Sequence, residues 1–162
     1  MNDIEKKFLK LIETDARLTE KQIAVVLEKE EGDVRALFEK FEEDGTILGY
    51  KTVVNKEKLG EEIVNAMIEL KITPQHDRGF GNVAELLCNF EEVKSVFLMS
   101  GVYDLALMIE GRTMRDIAFF VAEKLATLEY VTSTATHFVL RKYKEDGIVY
   151  GDAVNDDKRG MI

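Results

Sequence analysis

Residues 19–47 read TEKQIAVVLEKEEGDVRALFEKFEEDGTI, and this stretch has the length and spacing of a helix-turn-helix. Thr19 can cap a first helix, because Gln22 stands three residues later and completes a capping box. A second helix is predicted over 30–44, where apolar residues recur at helical spacing and Gly45 follows as a stop. In DNA-binding proteins built on this plan, the second helix enters the major groove.

The charge of this second helix opposes a role in binding DNA. Residues 30–44 contain seven acids against two bases, Arg35 and Lys40. A helix that lies against phosphates is expected to be positive. The acidic balance extends over the chain, since residues 1–55 carry 9 basic and 13 acidic residues and the formal net charge is −9. Nonspecific contact with nucleic acid or an anionic membrane is therefore not favoured.

The rest of the N-terminal part completes a small domain. A first helix is predicted from Asp3 to about Thr14, where apolar residues again recur at helical spacing. The segment TILGYKTVVN, residues 46–55, is predicted to form a short hairpin, or wing. Residues 1–55 are therefore expected to form a winged helix-turn-helix DNA-binding domain, and the polar stretch 55–61 is expected to be its boundary.

From residue 62 the periodicity changes from helical to alternating. Apolar residues occupy every second position of 64–72, which predicts a strand with one buried face. Further patterns give the order β-α-β-β-α-β across 62–143, the arrangement of a ferredoxin-like domain in an α+β protein. Both helices are expected on one face of a four-stranded antiparallel sheet. The tail 144–162 is polar, and its segment GDAVNDDKRG, residues 151–160, is expected to be mobile.

The other face of this sheet has no helix to cover it. An exposed apolar area of that kind usually binds a partner, and a second copy packed sheet to sheet is the simplest cover. The sequence therefore predicts a homodimer. The apolar side chains expected on this face are Met67, Ala106, Met108, Val131, Ala135 and Val139.

Three segments resemble the Lrp/AsnC family of feast/famine regulators: VRALFEKFEEDGTILGY (34–50), EEVKSVFLMSGVYDLALMIEG (91–111) and TSTATHFVLRKYK (132–144). The resemblance spans roughly residues 2–143. It implies a transcriptional regulator whose C-terminal domain binds an effector and forms oligomers. The partners that it implies are double-stranded DNA, an amino acid or related small effector, and copies of the chain itself, as a dimer and often an octamer.

Within the helix-turn-helix, the DNA contacts are expected from the exposed side of the second helix and from nearby lysines. The family usually has Ser or Thr at the start of this helix and Arg or Lys along its exposed side, whereas this chain has mainly acids there. Glu39 is compatible with insertion of this helix into the major groove of DNA if its carboxylate accepts a hydrogen bond from a cytosine amino group. The candidate DNA-binding residues are Lys21, Arg35, Ala36, Glu39, Lys40 and Lys51.

The effector is expected near a turn that matches the family's G-x-Y-D pattern. Backbone N–H groups of a turn can bind an α-carboxylate, and Asp104 can accept from an α-ammonium. A neighbouring strand, TSTAT, offers small hydroxyls, and the alternation leaves open which threonines face the ligand. The turn also has a purely structural interpretation, in which Gly101 supplies a positive φ. The candidate effector-binding residues are Gly101, Val102, Tyr103, Asp104, Ser133, Thr134 and Thr136.

Catalytic and metal-binding motifs are not found. There is no P-loop, GxSxG or HExxH, so neither an enzymatic activity nor a cofactor is predicted. His76 and His137 have no partner at metal-ligand spacing, so no metal site is predicted. Cys88, the one cysteine, fits a reducing cytoplasm and is expected to be a small core residue. Neither a signal peptide nor a membrane span is expected, which also favours the cytoplasm.

Two other functions remain open. One is an effector-sensing or oligomerisation module with weakened DNA binding, which the acidic second helix favours. The other is a tetrapyrrole decarboxylase, because haem-biosynthetic decarboxylases resemble this two-domain architecture. Neither histidine stands in an evident catalytic setting, so the sequence offers the decarboxylase little support.

Overall fold

The computed structural model describes residues 1–60, 62–73 and 80–150. The chain divides into two compact units, residues 1–52 and residues 53–162. Each unit has a hydrophobic core of its own.

Unit 1 consists of three helices: α1 (Asp3–Thr14), α2 (Glu20–Leu27) and α3 (Glu31–Glu43). The capping box predicted for α2 is confirmed, because Thr19 Oγ1 accepts from the N–H of Gln22 at 3.2 Å and Gln22 Oε1 accepts from the N–H of Thr19 at 2.9 Å. Such a box satisfies two N–H groups that the first helical turn leaves unpaired.

The three helices meet around aromatic side chains. The ring of Phe8 on α1 contacts two rings of α3, Phe38 edge-on at 4.8 Å and Phe41 stacked at 5.9 Å between centroids. Val26, which its spacing places in the apolar stripe of α2, is 45% exposed, and Ala24 is buried instead. The buried apolar members of this core are Phe8, Ile12, Ile23, Ala24, Leu27, Val34 and Phe41.

The segment after α3 departs from the expected wing. Gly45 has φ +74 and ends the helix as predicted, and the N–H of Ile47 donates to the carbonyl of Phe41 at 2.8 Å. Residues 46–55 contain no strand, however, so the hairpin predicted there is wrong. Leu48 is 95% exposed, so this apolar side chain of the segment does not pack against a core.

Unit 2 contains a four-stranded antiparallel sheet. Its strands are β1 (Val64–Ile72), β2 (Val93–Leu98), β3 (Leu105–Gly111) and β4 (Val131–Val139). Their spatial order is β2-β3-β1-β4, which is that of a ferredoxin-like domain. The predicted α+β class and βαββαβ order are confirmed.

Two helices cover one face of this sheet. They are α4 (Gly81–Cys88) and α5 (Met114–Phe120), and α5 continues into a π-helical turn at Val121–Leu125. A short 3₁₀ turn, Lys56–Leu59, precedes β1. The inner face of β1 is fully apolar, as its alternation predicts. The buried core consists of Ala66, Ile68, Leu70, Ile72, Val83, Leu87, Leu105, Leu107, Ile109, Ile117, Phe120 and Leu125.

An irregularity in the β1–β4 pairing changes which side chains lie on each face. The register shifts between Lys71 and Ile72, so Ile72 pairs with Val131. Val131 therefore packs against the core, and its predicted place on the outer face is wrong because the prediction assumed unbroken alternation. Phe97 lies on the outer face instead, paired with Ala106 and 51% exposed.

A small hairpin follows the sheet. Its strands are β5 (Lys144–Glu145) and β6 (Ile148–Val149), joined by Asp146 and Gly147 at φ 47 and φ 81. Two consecutive positive φ values are typical of the tightest hairpin turns. Residues 144–150 of the polar tail are thus structured, and the segment expected to be mobile, residues 151–160, lies outside the described part of the chain.

Candidate functional site

The helix-turn-helix of unit 1 presents one side of α3 to solvent. Gly32, Ala36, Glu39 and Glu43 are exposed, and their spacing of three or four residues places them on one side of the helix. The turn that joins α2 to α3 begins at Glu28, which has a left-handed backbone at φ 55. Two short helices joined by a tight turn, with one exposed helical side, are what insertion into a major groove requires.

Arg35 projects from α3 and is held by α2. Its Nη2 and Nε donate to the carboxylate of Glu20 at 2.8 and 3.4 Å. Hydrogen bonding and charge from Glu20 raise the pKa of Arg35, and the nearby carboxylates of Glu39 and Glu31 act in the same direction. The hydrogen bond from Arg35 in turn lowers the pKa of Glu20. This candidate DNA contact therefore already has an acidic partner.

Lys40 is engaged in a different way. Its ammonium donates to Glu5 Oε1 at 2.5 Å, and Glu5 Oε2 also accepts from the N–H of Asn2 at 2.7 Å. Glu5 is 8% exposed, and the hydrogen bond from Lys40, followed by that from Asn2, lowers the pKa of Glu5. An ammonium held by a buried carboxylate on α1 ties α3 to α1. The first role of Lys40 is therefore structural.

The other candidate DNA contacts lie at the surface of unit 1. Lys21 stands in the first turn of α2 and Lys51 in the segment after α3, and both are exposed, as are Ala36 and Glu39. Among the described residues, no acid lies within ion-pair distance of Lys21. The sequence reasoning identified the cations of this face but missed Glu5 and Glu20, since their partners are 35 and 15 residues away.

The candidate effector turn connects β2 to β3, and Asp104 fixes it to β1. Asp104 Oδ2 accepts from the N–H of Ile72 at 2.8 Å, and Oδ1 accepts from the ammonium of Lys71 at 3.0 Å. Its own N–H donates to the carbonyl of Leu70 at 2.9 Å, and its carbonyl accepts from the N–H of Met99 at 2.8 Å. The hydrogen bond from Ile72, then that from Lys71, holds the pKa of Asp104 below its ordinary value.

The remainder of the turn is open. Gly101 and Val102 are exposed, and Tyr103 is half-buried. Gly101 does not have a left-handed φ, so its structural role as a positive-φ residue is not supported. The carboxylate of Asp104 already has a cationic partner in Lys71, a residue that the sequence reasoning missed because only the sheet brings them together across 33 positions.

The strand register decides which hydroxyls lie near this pair. Ser133 pairs with Lys71 on the outer face, whereas Thr134 and Thr136 pair with Leu70 and Ile68 on the helix-covered side. Ser133 is thus the candidate hydroxyl paired with Lys71, and the neighbouring hydroxyl of Thr132 donates to the carbonyl of Lys71 at 3.1 Å. Thr134 and Thr136 lie on the opposite face of the sheet from it.

The outer sheet face mixes apolar and charged side chains. Met67 lies near its centre, between Met108 on β3 and His137 on β4. The ring nitrogen Nε2 of His137 lies 3.0 Å from Oε2 of Glu69. Residues that the strand pairing assigns to this face are Asn65, Met67, Glu69, Lys71, Ser95, Phe97, Ala106, Met108, Glu110, Ser133, Ala135, His137 and Val139.

The remaining sequence-based candidates do not form a site. Within residues 1–60, 62–73 and 80–150, no three His, Cys, Asp or Glu side chains are placed to hold a metal ion. His76 lies outside the described residues. Cys88 is exposed, not a core residue, because it lies at the C-terminal end of α4, away from the side of that helix that faces the sheet. No helix in the described ranges is long and apolar enough to cross a membrane.

Comparison with known proteins identifies both units. Residues 65–149 match the family model described as the Lrp/AsnC ligand binding domain. The HTH-type transcriptional regulator YugG of Bacillus subtilis is 41% identical over 163 aligned residues, covering 100% of this chain and 98% of that protein. The HTH-type transcriptional regulator LrpA of Pyrococcus horikoshii is 30% identical, covering 89% of this chain and 99% of that protein.

The solved structures agree with this in fold. The transcriptional regulator NMB0573 of Neisseria meningitidis, solved as a complex with L-Met, superposes with a TM-score of 0.73 at 21% identity, covering 90% of this chain and 93% of that chain. The curated relatives are named as transcriptional regulators, which confirms the prediction that the chain is not an enzyme. From helix-turn-helix to ferredoxin-like sheet, the chain belongs to the Lrp/AsnC family of transcriptional regulators.

Proposed function

We propose that the chain regulates transcription in the cytoplasm by binding double-stranded DNA through residues 1–55 and a small effector through residues 62–143. The helix-turn-helix carries the first half of this proposal, because α3 presents an uninterrupted exposed side next to a tight turn. Because Arg35 and Lys40 are engaged by acids, the exposed Lys21 is the cation of this unit that we expect to contact a phosphate. One such contact gives a salt slope of about −0.9 per subunit.

The test of DNA binding uses a duplex taken from upstream of the chain's own gene. Footprinting and titration at several salt concentrations should show a protected site and a shallow salt dependence. Lys21→Ala should weaken binding to all sequences and reduce the slope by about 1. The matched control is Lys10→Ala, an exposed lysine on α1, which should bind as the wild type does. Equal behaviour of the two variants would remove Lys21 from the interface.

A second candidate function rests on the acidic surface of α3. An effector-sensing or oligomerisation module that has lost operator recognition would retain the fold and the sheet. Exposed acids on both sides of Ala36 favour it, because they repel phosphate. Effector binding together with an absence of any protected DNA site would establish this second function.

We propose that the effector is a free amino acid or a close relative and that it binds near the 101–104 turn. The Asp104–Lys71 pair offers both signs of charge that a zwitterion needs, and Ser133 adds a hydroxyl beside Lys71. The named L-Met complex of a protein with the same fold supports the ligand class.

The test of effector binding is a melting screen over the twenty amino acids. A bound ligand should raise the melting temperature, and the rise should grow with the ligand concentration. At one hundred times its Kd, the ligand should stabilise the folded protein by about 2.7 kcal/mol. Asp104→Asn should abolish the rise, because the amide keeps an acceptor for the N–H of Ile72 but loses the charge. Ser133→Ala should weaken the response, and Thr136→Ala should leave it unchanged. Equal responses of wild type and Asp104→Asn would refute this site.

We propose that the chain forms homo-oligomers, at least a dimer, through the outer sheet face. This face carries Met67, Phe97 and Met108, and the two described helices of unit 2 that pack on the sheet, α4 and α5, cover its other face. Apolar side chains on an open sheet face are usually covered by a partner, and a second copy covers them symmetrically.

A further inference from the structure

The guanidinium of Arg35 has one edge occupied and one edge open. Nε and Nη2 donate to Glu20, which stands in the first turn of α2, so this pair links the two helices of the motif. Arginine carries five N–H donors in a rigid plane. The outer edge, formed by Nη1 and Nη2, therefore keeps donors for a second bidentate acceptor. Among the described residues, Glu20 is the hydrogen-bond partner of this guanidinium, and the side chain as a whole is 61% exposed.

The surroundings of Arg35 suit a neutral acceptor better than a phosphate. Glu31 and Glu39 stand one helical turn before and after it, and Glu20 is bound to it directly. Three carboxylates around one guanidinium leave the neighbourhood negative, so a phosphate would be repelled. A base edge carries no net charge. Guanine offers two acceptors, O6 and N7, that match the spacing of an arginine edge.

The position of Arg35 on α3 also fits contact with bases. It is the fifth residue of this helix, and the N-terminal residues of a recognition helix are those that reach base edges. We propose that Arg35 reads a guanine in the major groove and that Glu20 is the positioning residue that holds its guanidinium for this contact. This inference rests on the proposed function, that unit 1 binds duplex DNA.

The experiment selects sequences from a library of DNA duplexes with a randomised core. Four full-length proteins are compared: wild type, Arg35→Lys, Glu20→Ala and Glu31→Ala. Wild type should prefer guanine at one position of each half-site by roughly tenfold or more. Arg35→Lys keeps the charge and loses the planar fork, so it should lose that preference while its salt slope stays unchanged.

Glu31→Ala is the matched control for Glu20→Ala, because each removes one negative charge close to Arg35. Glu20→Ala should reduce the guanine preference severalfold, and Glu31→Ala should keep it. If both variants instead bind all sequences more tightly with steeper salt slopes, the acids merely compete with phosphate and the positioning role is overturned. Glu20→Gln, which retains an acceptor oxygen, should keep part of the preference and serves if Glu20→Ala melts below the assay temperature.

The outcomes separate this inference from the function on which it rests. If the wild type selects no sequence from the library, the result contradicts both sequence-specific DNA binding and the proposed role of Arg35. If wild type selects a sequence and Arg35→Lys or Glu20→Ala selects the same one with the same preference, DNA binding stands and only the guanine assignment fails.

Discussion

At the scale of single residues, Glu5 shows how a charged side chain can belong to an apolar core. One carboxylate oxygen accepts from the N–H of Asn2 at the start of α1, and the other accepts from the ammonium of Lys40 on α3. A buried charge is tolerated when its hydrogen-bonding capacity is satisfied. Glu5 therefore works as a link between two helices, and Lys40 is explained without any reference to DNA.

The pKa of Glu5 leads to a prediction about acid stability. Because Lys40 and Asn2 lower that pKa in the folded state, the stabilisation is fully present above the ordinary value of 4.5 and is lost as pH falls through the lowered pKa. Urea unfolding between pH 3 and pH 7, followed by circular dichroism, should show stability falling on the acid side. Glu5→Gln should flatten that fall, and Lys40→Met should do so too. An unchanged acid profile in both variants would contradict the link.

Glu28, at the turn between α2 and α3, has a strained backbone conformation. Its φ of 55 is costly for a residue with a Cβ, whereas glycine adopts it freely. Glu28→Gly should raise the stability of the folded protein by about 1 kcal/mol. Glu28→Ala removes the same charge without relieving the backbone and should not stabilise. Thermal melts of the two variants check this, and a stabilised Glu28→Ala would show that charge is the cause.

At the scale of helices and strands, patterns among neighbouring residues predicted where the helices and strands form. Pairing between distant residues determined which side chains meet at the candidate effector site. The capping box at Thr19 and the alternation in β1 depend only on neighbours in sequence, and both are confirmed. The face of the sheet that Val131 occupies depends on the register of β4 against β1. The alternation of apolar residues alone does not predict that register. The same holds for Asp104, whose partner Lys71 is supplied by another strand. Strand register, not composition, fixes which polar groups meet.

The join between β3 and α5 gives an element-scale prediction. A Cβ added at Gly111 would lie 2.8 Å from Cγ1 of Ile117, whose side chain is buried. Gly111→Ala should therefore destabilise the protein by about 1 to 3 kcal/mol, because a packed core resists added volume. Gly81→Ala is the control, since nothing lies within 4 Å of that position in α4. Chemical denaturation should separate the two, and equal midpoints would mean that Ile117 moves aside.

At the scale of the whole molecule, the formal net charge of −9 limits the electrostatic attraction between the chain and DNA. Several cations are neutralised within their own unit, Arg35 and Lys40 in unit 1 and Lys71 in unit 2. Long-range attraction to DNA is therefore weak, and association should be slower than for a basic regulator. Recognition then depends on short-range contacts that form after encounter, and the proposed homo-oligomer would add avidity to them.

The outer sheet face provides the whole-molecule prediction. Met67→Glu places a charge at the centre of the area that a second copy would cover, so the proposed dimer should dissociate to chains of 18.4 kDa. Leu86→Glu is the control, because Leu86 is 44% exposed on α4, which covers the other face of the sheet. Light scattering at micromolar concentration measures both. A Met67→Glu protein that keeps the wild-type mass would place the interface elsewhere.

Lys71 belongs both to the candidate effector turn and to the outer sheet face. Its ammonium holds Asp104 at the turn, and its position on β1 belongs to the outer sheet face. In a dimer that covers this face, a ligand whose ammonium displaces Lys71 from Asp104 changes the charge presented to the neighbouring copy. Thermodynamic reciprocity then applies: whatever factor the ligand imposes on the association constant, association imposes on the affinity for the ligand. One 3.0 Å ion pair would make the supply of a metabolite and the number of chains in an assembly depend on each other.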